Sequence, residues 1–350
     1  MKKEKNIQKQ NIYTGSAKFQ IILLLIFGVI AFWMLYKPTV GFNSEDEYPN
    51  IIPLTPQKII SFGGSPSKIK VGMYIRDVPE VDIVKGIFIA DITVWFEFNP
   101  SFISLEKIGM FSFESAKIKY KSKPFTRIEG DNLVAYYNMR SEFSISLNYK
   151  YFPFDDHRIS FALTNNALSP SEAIFQSSKY NFTINKEIII PGWELVGKHI
   201  KTGYITDVFD PHDPKAKNTR PRVIFSMDLA RAGVRHVVTI LLPLLIIFFI
   251  SLFTLSFNPY GHNAGNIVAI SIASVSAVIA QRFVIESMSP RSGTFMISDN
   301  LFVLFLIGCS LIFVVNIFSK RIKGVYKNIL AFVLNVFTLL TLAYILNPLF

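Results

Sequence analysis

Apolar residues are distributed very unevenly along the chain. Five runs are long and apolar enough to cross a bilayer as helices: residues 19–36, 237–257, 265–288, 301–318 and 329–346. Residues 68–231 instead contain short alternating or β-branched segments, separated by turn clusters such as EGDN and NNALSPS. This second pattern predicts eight or so short strands, one of them in FSISLNYKYF (residues 143–152), arranged as a β-sandwich.

The predicted fold class is therefore an all-β sandwich followed by an all-α four-helix transmembrane domain, preceded by a signal or anchor helix. The domain boundaries follow from the pattern: residues 1–36 for the basic N-terminus and signal or anchor helix, 37–67 for a linker rich in Pro, Gly and Ser, 68–234 for the sandwich, and 235–350 for the four helices.

The positions of the basic residues indicate how the chain crosses the membrane. Charged residues make up 17% of the chain and hydrophobic residues 50%, which is typical of a membrane protein with a sizeable polar part. The net charge is +11, and its clusters lie in residues 1–18 and 319–328, beside apolar runs rather than in a nucleic-acid-binding pattern. The positive-inside rule places both clusters in the cytoplasm and the sandwich outside it, in a multi-pass protein of the cell (inner) membrane.

The first apolar run has two interpretations. It follows a basic segment, as a signal peptide does, but WMLYKPTV contains no small-x-small cleavage site. An uncleaved anchor is therefore favoured over a cleaved signal.

The sequence gives little support for catalysis or for a cofactor. Cys309 is the one cysteine, so an intrachain disulfide and a multi-cysteine metal site are excluded. GxSxG, HExxH and Gly-rich phosphate loops do not occur. We expect no enzyme activity, no cofactor and no resident metal.

Residues 265–288 form the least apolar of the five runs. Serines recur through it, and Gln281, Arg282 and Glu286 lie near its end. Ionisable side chains in a membrane span usually face water or a partner. The alternative is that the serines only join helices to one another.

Three motifs occur in a characteristic order. The first is Phe152-Pro153-Phe154-Asp155, called here the FPFD motif; the second is Arg231, twelve residues before Pro243; the third is ESMSPRSGTFMISDN, residues 286–300. With the sandwich and the four helices, they resemble the pentameric ligand-gated ion channels (the Cys-loop receptor superfamily), in the bacterial form that lacks the loop disulfide. The resemblance covers about residues 68–350.

This resemblance implies a homopentamer whose pore is lined by the second of the four helices. Counting back from Pro290 in steps of three and four residues gives the predicted pore face: Asn266, Ala269, Ala273, Ser276, Ala280, Phe283 and Ser287. A ring of Phe283 side chains would close the pore by steric block and dewetting. Ser276 departs from the Leu or Ile that family members usually carry there.

Charge selectivity is left open by the residues themselves. Arg282 and Glu286 are expected at the outer mouth, where the arginine could cancel the carboxylate. The inner mouth, NPYGHNAGN, contains no acid. A preference for cations rests on family frequency alone.

The resemblance also implies a coupling junction. Phe152 and Phe154 would be buried against the helix ends, Pro153 would fix the turn as a cis bond, and Asp155 would meet Arg231. An acid between the first two strands, Glu80 or Asp82, would contribute, and Pro290 would belong to the same junction.

The candidate agonist residues are Asn165, Asn166, Tyr204 and Phe209. The aromatic rings could pack on a cation or amine. Proton gating through histidines such as His236 is a further possibility, whereas the Asp- and His-containing run 207–213 is more typical of a solvated hairpin than of a metal site.

The expected function is that of a ligand- or proton-gated channel, with permeant ions, a small-molecule or proton agonist and the lipid bilayer as partners, and no nucleic acid. The alternative is a membrane-anchored periplasmic sensor or binding protein without a conducting pore.

Overall fold

The computed structural model describes residues 17–63, 65–82, 85–208, 217–257, 263–290 and 293–349. The helices are α1 (Ala17–Tyr36), α2 (Pro56–Ser61), α3 (Leu105–Gly109), α4 (Arg235–Phe253), α5 (Asn263–Met288), α6 (Ile297–Ile317) and α7 (Gly324–Leu346). The strands are β1 (Ile52–Pro53), β2 (Ser67–Asp82), β3 (Ile87–Phe98), β4 (Phe111–Phe113), β5 (Ala116–Lys121), β6 (Phe125–Glu129), β7 (Asn132–Ser144), β8 (His157–Asn165), β9 (Ala173–Gln176), β10 (Phe182–Ile184), β11 (Trp193–Val208) and β12 (Lys217–Arg231).

The described residues divide into two compact units. The helix unit contains residues 17–43, 149–155 and the chain from 233 onward, and the strand unit contains residues 44–148 and 156–232. The short segment 149–155, which includes the FPFD motif, therefore belongs to the helices although strands flank it in sequence.

The strand unit consists of two β-sheets. One has the strand order β1-β11-β12-β8-β4, and the other has the order β10-β2-β3-β7-β5, with β6 paired to β7 and β9 paired to β2. Strand β3 shows why the sheets pack, because every second residue from Phe88 to Phe98 is buried. Rings from both sheets meet in one core, where the Phe143 and Phe161 centroids are 4.7 Å apart.

Two sequence predictions differ from the strands observed. The run FSISLNYKYF was expected to be a strand, but β7 ends at Ser144 and the last residues of the run join the helix unit. Part of the expected linker is ordered into β1 and α2, where Thr55 caps the helix by accepting from the Lys58 N–H at 3.3 Å. The local sequence does not distinguish a strand from a buried loop, because alternating apolar residues suit both.

The helix unit contains all five of the helices that are long and apolar enough to cross a membrane in the described part of the chain: α1, α4, α5, α6 and α7. The prediction of a membrane protein with two sheets followed by apolar helices is confirmed at this level.

Helix α1 is packed into the helix unit. The Phe27 ring is buried and lies 5.4 Å from the Phe249 ring on α4. Gln20, also buried, donates from Nε2 to the Asn328 Oδ1 on α7 at 2.9 Å and accepts a bond from the Ser256 hydroxyl, three residues after α4. A polar side chain shared among three helix ends is satisfied by protein groups rather than by lipid.

Candidate functional site

The predicted pore face lies on one side of α5, and that side is exposed. All seven of its positions are exposed in the single chain, including Phe283, whose side chain is 71% accessible. Ile272 and Ile279 flank them and are also exposed. The structure thus brings the seven residues together along one helix face that none of the described elements of the same chain covers.

The opposite side of α5 holds the serines and the amide that join helices. Ser271 donates to the Ile267 carbonyl at 2.8 Å and accepts from the Asn316 amide on α6 at 2.7 Å. Gln281 donates to the Thr239 carbonyl on α4 at 3.1 Å. Both interpretations of the polar residues therefore apply, each to a different face: Ser271 and Gln281 join helices, whereas Ser276 is exposed.

Arg282 lies against α6. Its guanidinium is hydrogen-bonded to the Asp299 carboxylate in the first turn of α6, and its Nε donates to the Glu286 carboxylate at 2.9 Å. The Asp299 side chain is 11% exposed and the Glu286 side chain is 56% exposed. Asp299 was missed by the sequence analysis, because nothing local marks it as the partner of a residue seventeen positions earlier.

The FPFD motif packs into the helix core. Phe152 and Phe154 are buried in the same apolar cluster as α4 and α6, and the Phe152–Pro153 peptide bond is cis, as expected. The backbone N–H of Ser298 at the start of α6 donates to the Phe152 carbonyl at 3.0 Å. The motif thus satisfies one of the donors that a helix N-terminus leaves without an intrahelical partner.

A single buried carboxylate holds both ends of the segment that carries this motif. Asp46 accepts from the Asn148 backbone N–H at 2.6 Å, just before the segment, and from the Arg158 backbone N–H at 2.9 Å, just after it. The same carboxylate also lies 2.9 Å from His157 Nδ1. Asp46 lies in the expected linker, so its spacing of more than a hundred residues from these partners gave no sequence signal.

The remaining coupling residues can be placed one by one. Arg231 ends β12, its backbone N–H donates to Asp156 Oδ1 at 2.7 Å, and its guanidinium lies 4.6 Å from the Trp193 ring. Asp155 and Pro290 are buried. The Asp155–Arg231 pair stays a prediction.

The candidate agonist residues differ in their exposure to solvent and in the bonds that they already make. Asn165 is buried and its amide is used within the fold, donating to the Lys107 carbonyl at 2.8 Å. Tyr204 is also buried, with the Phe62 ring 5.2 Å away at right angles. Asn166 is exposed and accepts from Arg220 at 2.5 Å, and Phe209 lies outside the described residues.

Two arginines on one face of β12 lie beside these residues and were not among the candidates expected from the sequence. Arg220 bridges Asn166 and Asp207, with 2.5 Å to the carboxylate. Arg222 is buried and bonds to the Glu114 carboxylate and the Asn50 carbonyl. The sequence does contain one sign of this pair: residues two positions apart on a strand point to the same face of the sheet.

Asp228 on β12 is the centre of a charged cluster in the strand unit. It accepts from Arg158 Nε at 2.6 Å and lies 2.8 Å from His199 Nε2. Burial would raise the pKa of the Asp228 carboxyl, but the hydrogen bonds and charges of Arg158 and His199 outweigh it and hold that pKa below the ordinary 3.8.

The Asp228 cluster predicts acid sensitivity of the strand unit. Because the folded pKa lies below the unfolded one, the stabilisation from Asp228 is complete above about pH 5 and is lost as the pH falls through the folded value. We expect Asp228→Asn to lower the unfolding free energy at neutral pH and to reduce its loss between about pH 5 and about pH 2. Denaturant titrations across this range measure both effects. Asp131→Asn, at an exposed turn, is the control, and an unchanged acid slope in Asp228→Asn would contradict the assignment.

Comparisons with known proteins do not add an identification. No protein-family model matches the chain, and a search of curated proteins found no match.

Proposed function

We propose that this chain is one subunit of a homopentameric ion channel of the ligand-gated type, opened by a small molecule or by protons. Ions pass down their gradient through a pore lined by α5, with a preference for cations. The strand unit lies outside the cytoplasm and carries the agonist response, and residues 319–328 are cytoplasmic.

The observation that carries the proposal is a contrast between exposed helix faces. On α4 the exposed face carries Val238, Leu242, Ile246 and Ile250, and α1, α6 and α7 likewise expose large apolar side chains. On α5 six of the exposed residues are Ala, Ser or Asn, and the large apolar ones among the exposed residues are Ile272, Ile279 and Phe283. Large apolar faces suit lipid, whereas a small polar face suits close approach of identical helices around water.

The charges at the end of α5 support the preference for cations. Arg282 is shared between two carboxylates, so the group formed with Glu286 and Asp299 carries a net charge of −1 in each chain. The exposed member of the group is Glu286. Five such groups around a pore mouth would raise the local cation concentration.

The FPFD motif supports coupling between agonist and pore. Its two phenyl rings are anchored among the helices, and Asp46 of the strand unit holds the chain on both sides of it. A change in the strand unit would therefore be transmitted to the start of α6 through a short segment that is fixed at each end. Such a segment suits a switch between two arrangements.

The experiment that tests the proposal is current through planar bilayers containing the purified protein, under a salt gradient. The pH is swept from about 8 to about 4, which covers the histidine and carboxylate range. We expect a current whose reversal potential follows the cation gradient, and a pentamer by native mass spectrometry. A monomer that carries no current at any pH would favour the membrane-anchored sensor instead.

A second measurement needs no agonist. Cys309 is buried, so cysteines introduced elsewhere report their own accessibility. We expect Ser276→Cys to react rapidly with a hydrophilic thiol reagent supplied on both sides of the membrane, because the reactive thiolate needs water. Leu242→Cys, exposed on α4, and Val278→Cys, buried on α5, are the controls and should react slowly. Equal, slow reaction at positions 276 and 242 would place α5 in lipid and overturn the pore.

A further inference from the structure

A cavity of about 430 Å³ lies in the strand unit, and residues of both sheets line it. Its volume is within the range of roughly 300–1,000 Å³ that is common for small-molecule sites. The lining residues come from β2, the end of β9, the turn that follows β9, and β11: Lys70, Gln176, Ser177, Ser178, Asn181 and Thr202.

The wall between β9 and β10 is held in place at two points. The Ser177 hydroxyl donates to the Val71 carbonyl on β2 at 2.7 Å, and Lys198 on β11 donates from Nζ to the Phe182 carbonyl at 2.9 Å. Phe182 is itself buried, with its ring 5.4 Å from the Phe225 ring. The cavity is therefore formed before any ligand arrives, as most small-molecule sites are.

Four of the lining side chains have unused hydrogen-bonding capacity. The amides of Gln176 and Asn181 and the hydroxyls of Ser178 and Thr202 make no hydrogen bond within the described part of the chain. Ser178 is the clearest case, because it is the N-cap of a short 3-10 helix (Lys179–Asn181). Serine hydroxyls at this position usually cap the helix, yet this one makes no cap bond.

The charge of the cavity is already balanced by the protein. Among the described residues that line it, Lys70 is the one ionic side chain, and it is paired with Glu97 on β3 at 2.8 Å. The same described residues include no carboxylate, no aromatic ring and no aliphatic side chain. An ionic ligand would therefore meet no unpaired opposite charge there, and an apolar ligand would meet no apolar wall.

The unused groups share one chemical property, because amides and hydroxyls both donate and accept hydrogen bonds. The hydroxyls of a sugar do the same, so a neutral polyhydroxylated molecule can satisfy all of them at once. We propose that this cavity binds a small neutral sugar. Gln176 and Asn181 each offer two N–H donors and an acceptor oxygen to the sugar hydroxyls, and Ser178 and Thr202 each add one hydroxyl. The site does not depend on the channel proposal, because its evidence is the cavity alone.

The test is saturation-transfer difference NMR on the full chain in lipid nanodiscs, which avoids the sugar headgroups of glycoside detergents. Glucose, maltose, sucrose and trehalose are titrated one at a time. We expect at least one of these sugars to bind to the wild type. Gln176→Met and Asn181→Ala should each weaken that binding about three- to tenfold, since each removes hydrogen bonds to the ligand.

Thr202→Val and Thr183→Val form a matched pair. Both threonines lie on strands, and neither hydroxyl is hydrogen-bonded within the described residues, but only Thr202 lines the cavity. We expect weaker sugar binding in Thr202→Val and unchanged binding in Thr183→Val. Equal losses in the two variants would show a general disturbance of the strands and would overturn the site.

Three further outcomes would also overturn it. Tyr180 is 92% exposed beside Asn181 and does not line the cavity, so a loss of binding in Tyr180→Ala alone would place the sugar on that ring. Binding of sulfate without binding of any sugar would make the cavity an anion site. Absence of binding for all of the sugars would leave the cavity to water. Since the readout is bound sugar, a chain that carries no current can still pass this test.

Discussion

Replacing Phe283 by alanine is expected to give a channel that conducts at rest. Phe283 is the largest side chain of the predicted pore face and is 71% exposed in the single chain. In a ring of five it would exclude water and close the pore. Burial of one phenyl ring is worth about 1.5–3 kcal/mol, so its loss should favour the open pore by roughly tenfold or more. Bilayer current at neutral pH without agonist measures the change.

The control for this variant is Phe332→Ala. Phe332 is 50% exposed on α7, where a phenyl ring would face lipid, so its removal should leave the resting current unchanged. If Phe283→Ala is silent at rest and opens under the same trigger as the wild type, the barrier lies elsewhere on α5. Ser276, with a smaller side chain than the resemblance leads one to expect, would then be the next position to substitute.

Replacing Asp299 by alanine is expected to destabilise the helix unit strongly. The variant loses the ion pair that joins α5 to α6, and it also loses the bond that the Asp299 carboxylate accepts from the Met296 N–H at 3.0 Å at the start of α6. Loss of a helix cap and of one partner in a mostly buried pair together cost roughly 2–4 kcal/mol. Thermal unfolding in detergent, followed by circular dichroism, should show a clearly lower midpoint.

Glu286→Ala provides the comparison, because Glu286 bonds to the same guanidinium from an exposed position. Its removal should cost less than about 1 kcal/mol, as for surface ion pairs. Removal of the buried Asp299 carboxylate should therefore lower the unfolding free energy more than removal of the exposed Glu286 carboxylate. Comparable midpoints in the two variants would mean that the α5–α6 pair contributes little beyond surface electrostatics.

The features that the sequence predicted well are periodic or nearly local. The exposed side of α5 follows from steps of three and four residues, and Phe88 to Phe98 alternate as a half-buried strand must. The cis bond at Pro153 was foreseeable because only proline commonly adopts it. In each case the physical constraint acts between near neighbours in the chain.

The features that the sequence missed depend on distant partners. Asp46 looks like one of several acids in a polar linker, and only the fold brings it to His157. Asn165 looks like an exposed loop residue, yet its amide satisfies a backbone carbonyl of the strand unit. Nothing in the sequence indicates that Arg282 bonds to Asp299, because the two residues lie on different helices.

The packing of α1 has a consequence for how the protein is made. Gln20 is separated by 236 residues from Ser256 and by 308 from Asn328. At the ribosome's rate of about 5–20 residues per second, α1 waits roughly 15–60 s for its last partner. Its buried amide has neither partner until Ser256 is made and lacks Asn328 to the end of that interval, and the groove that will receive its apolar face is incomplete. Assembly of the described membrane helices therefore ends, rather than begins, with α1.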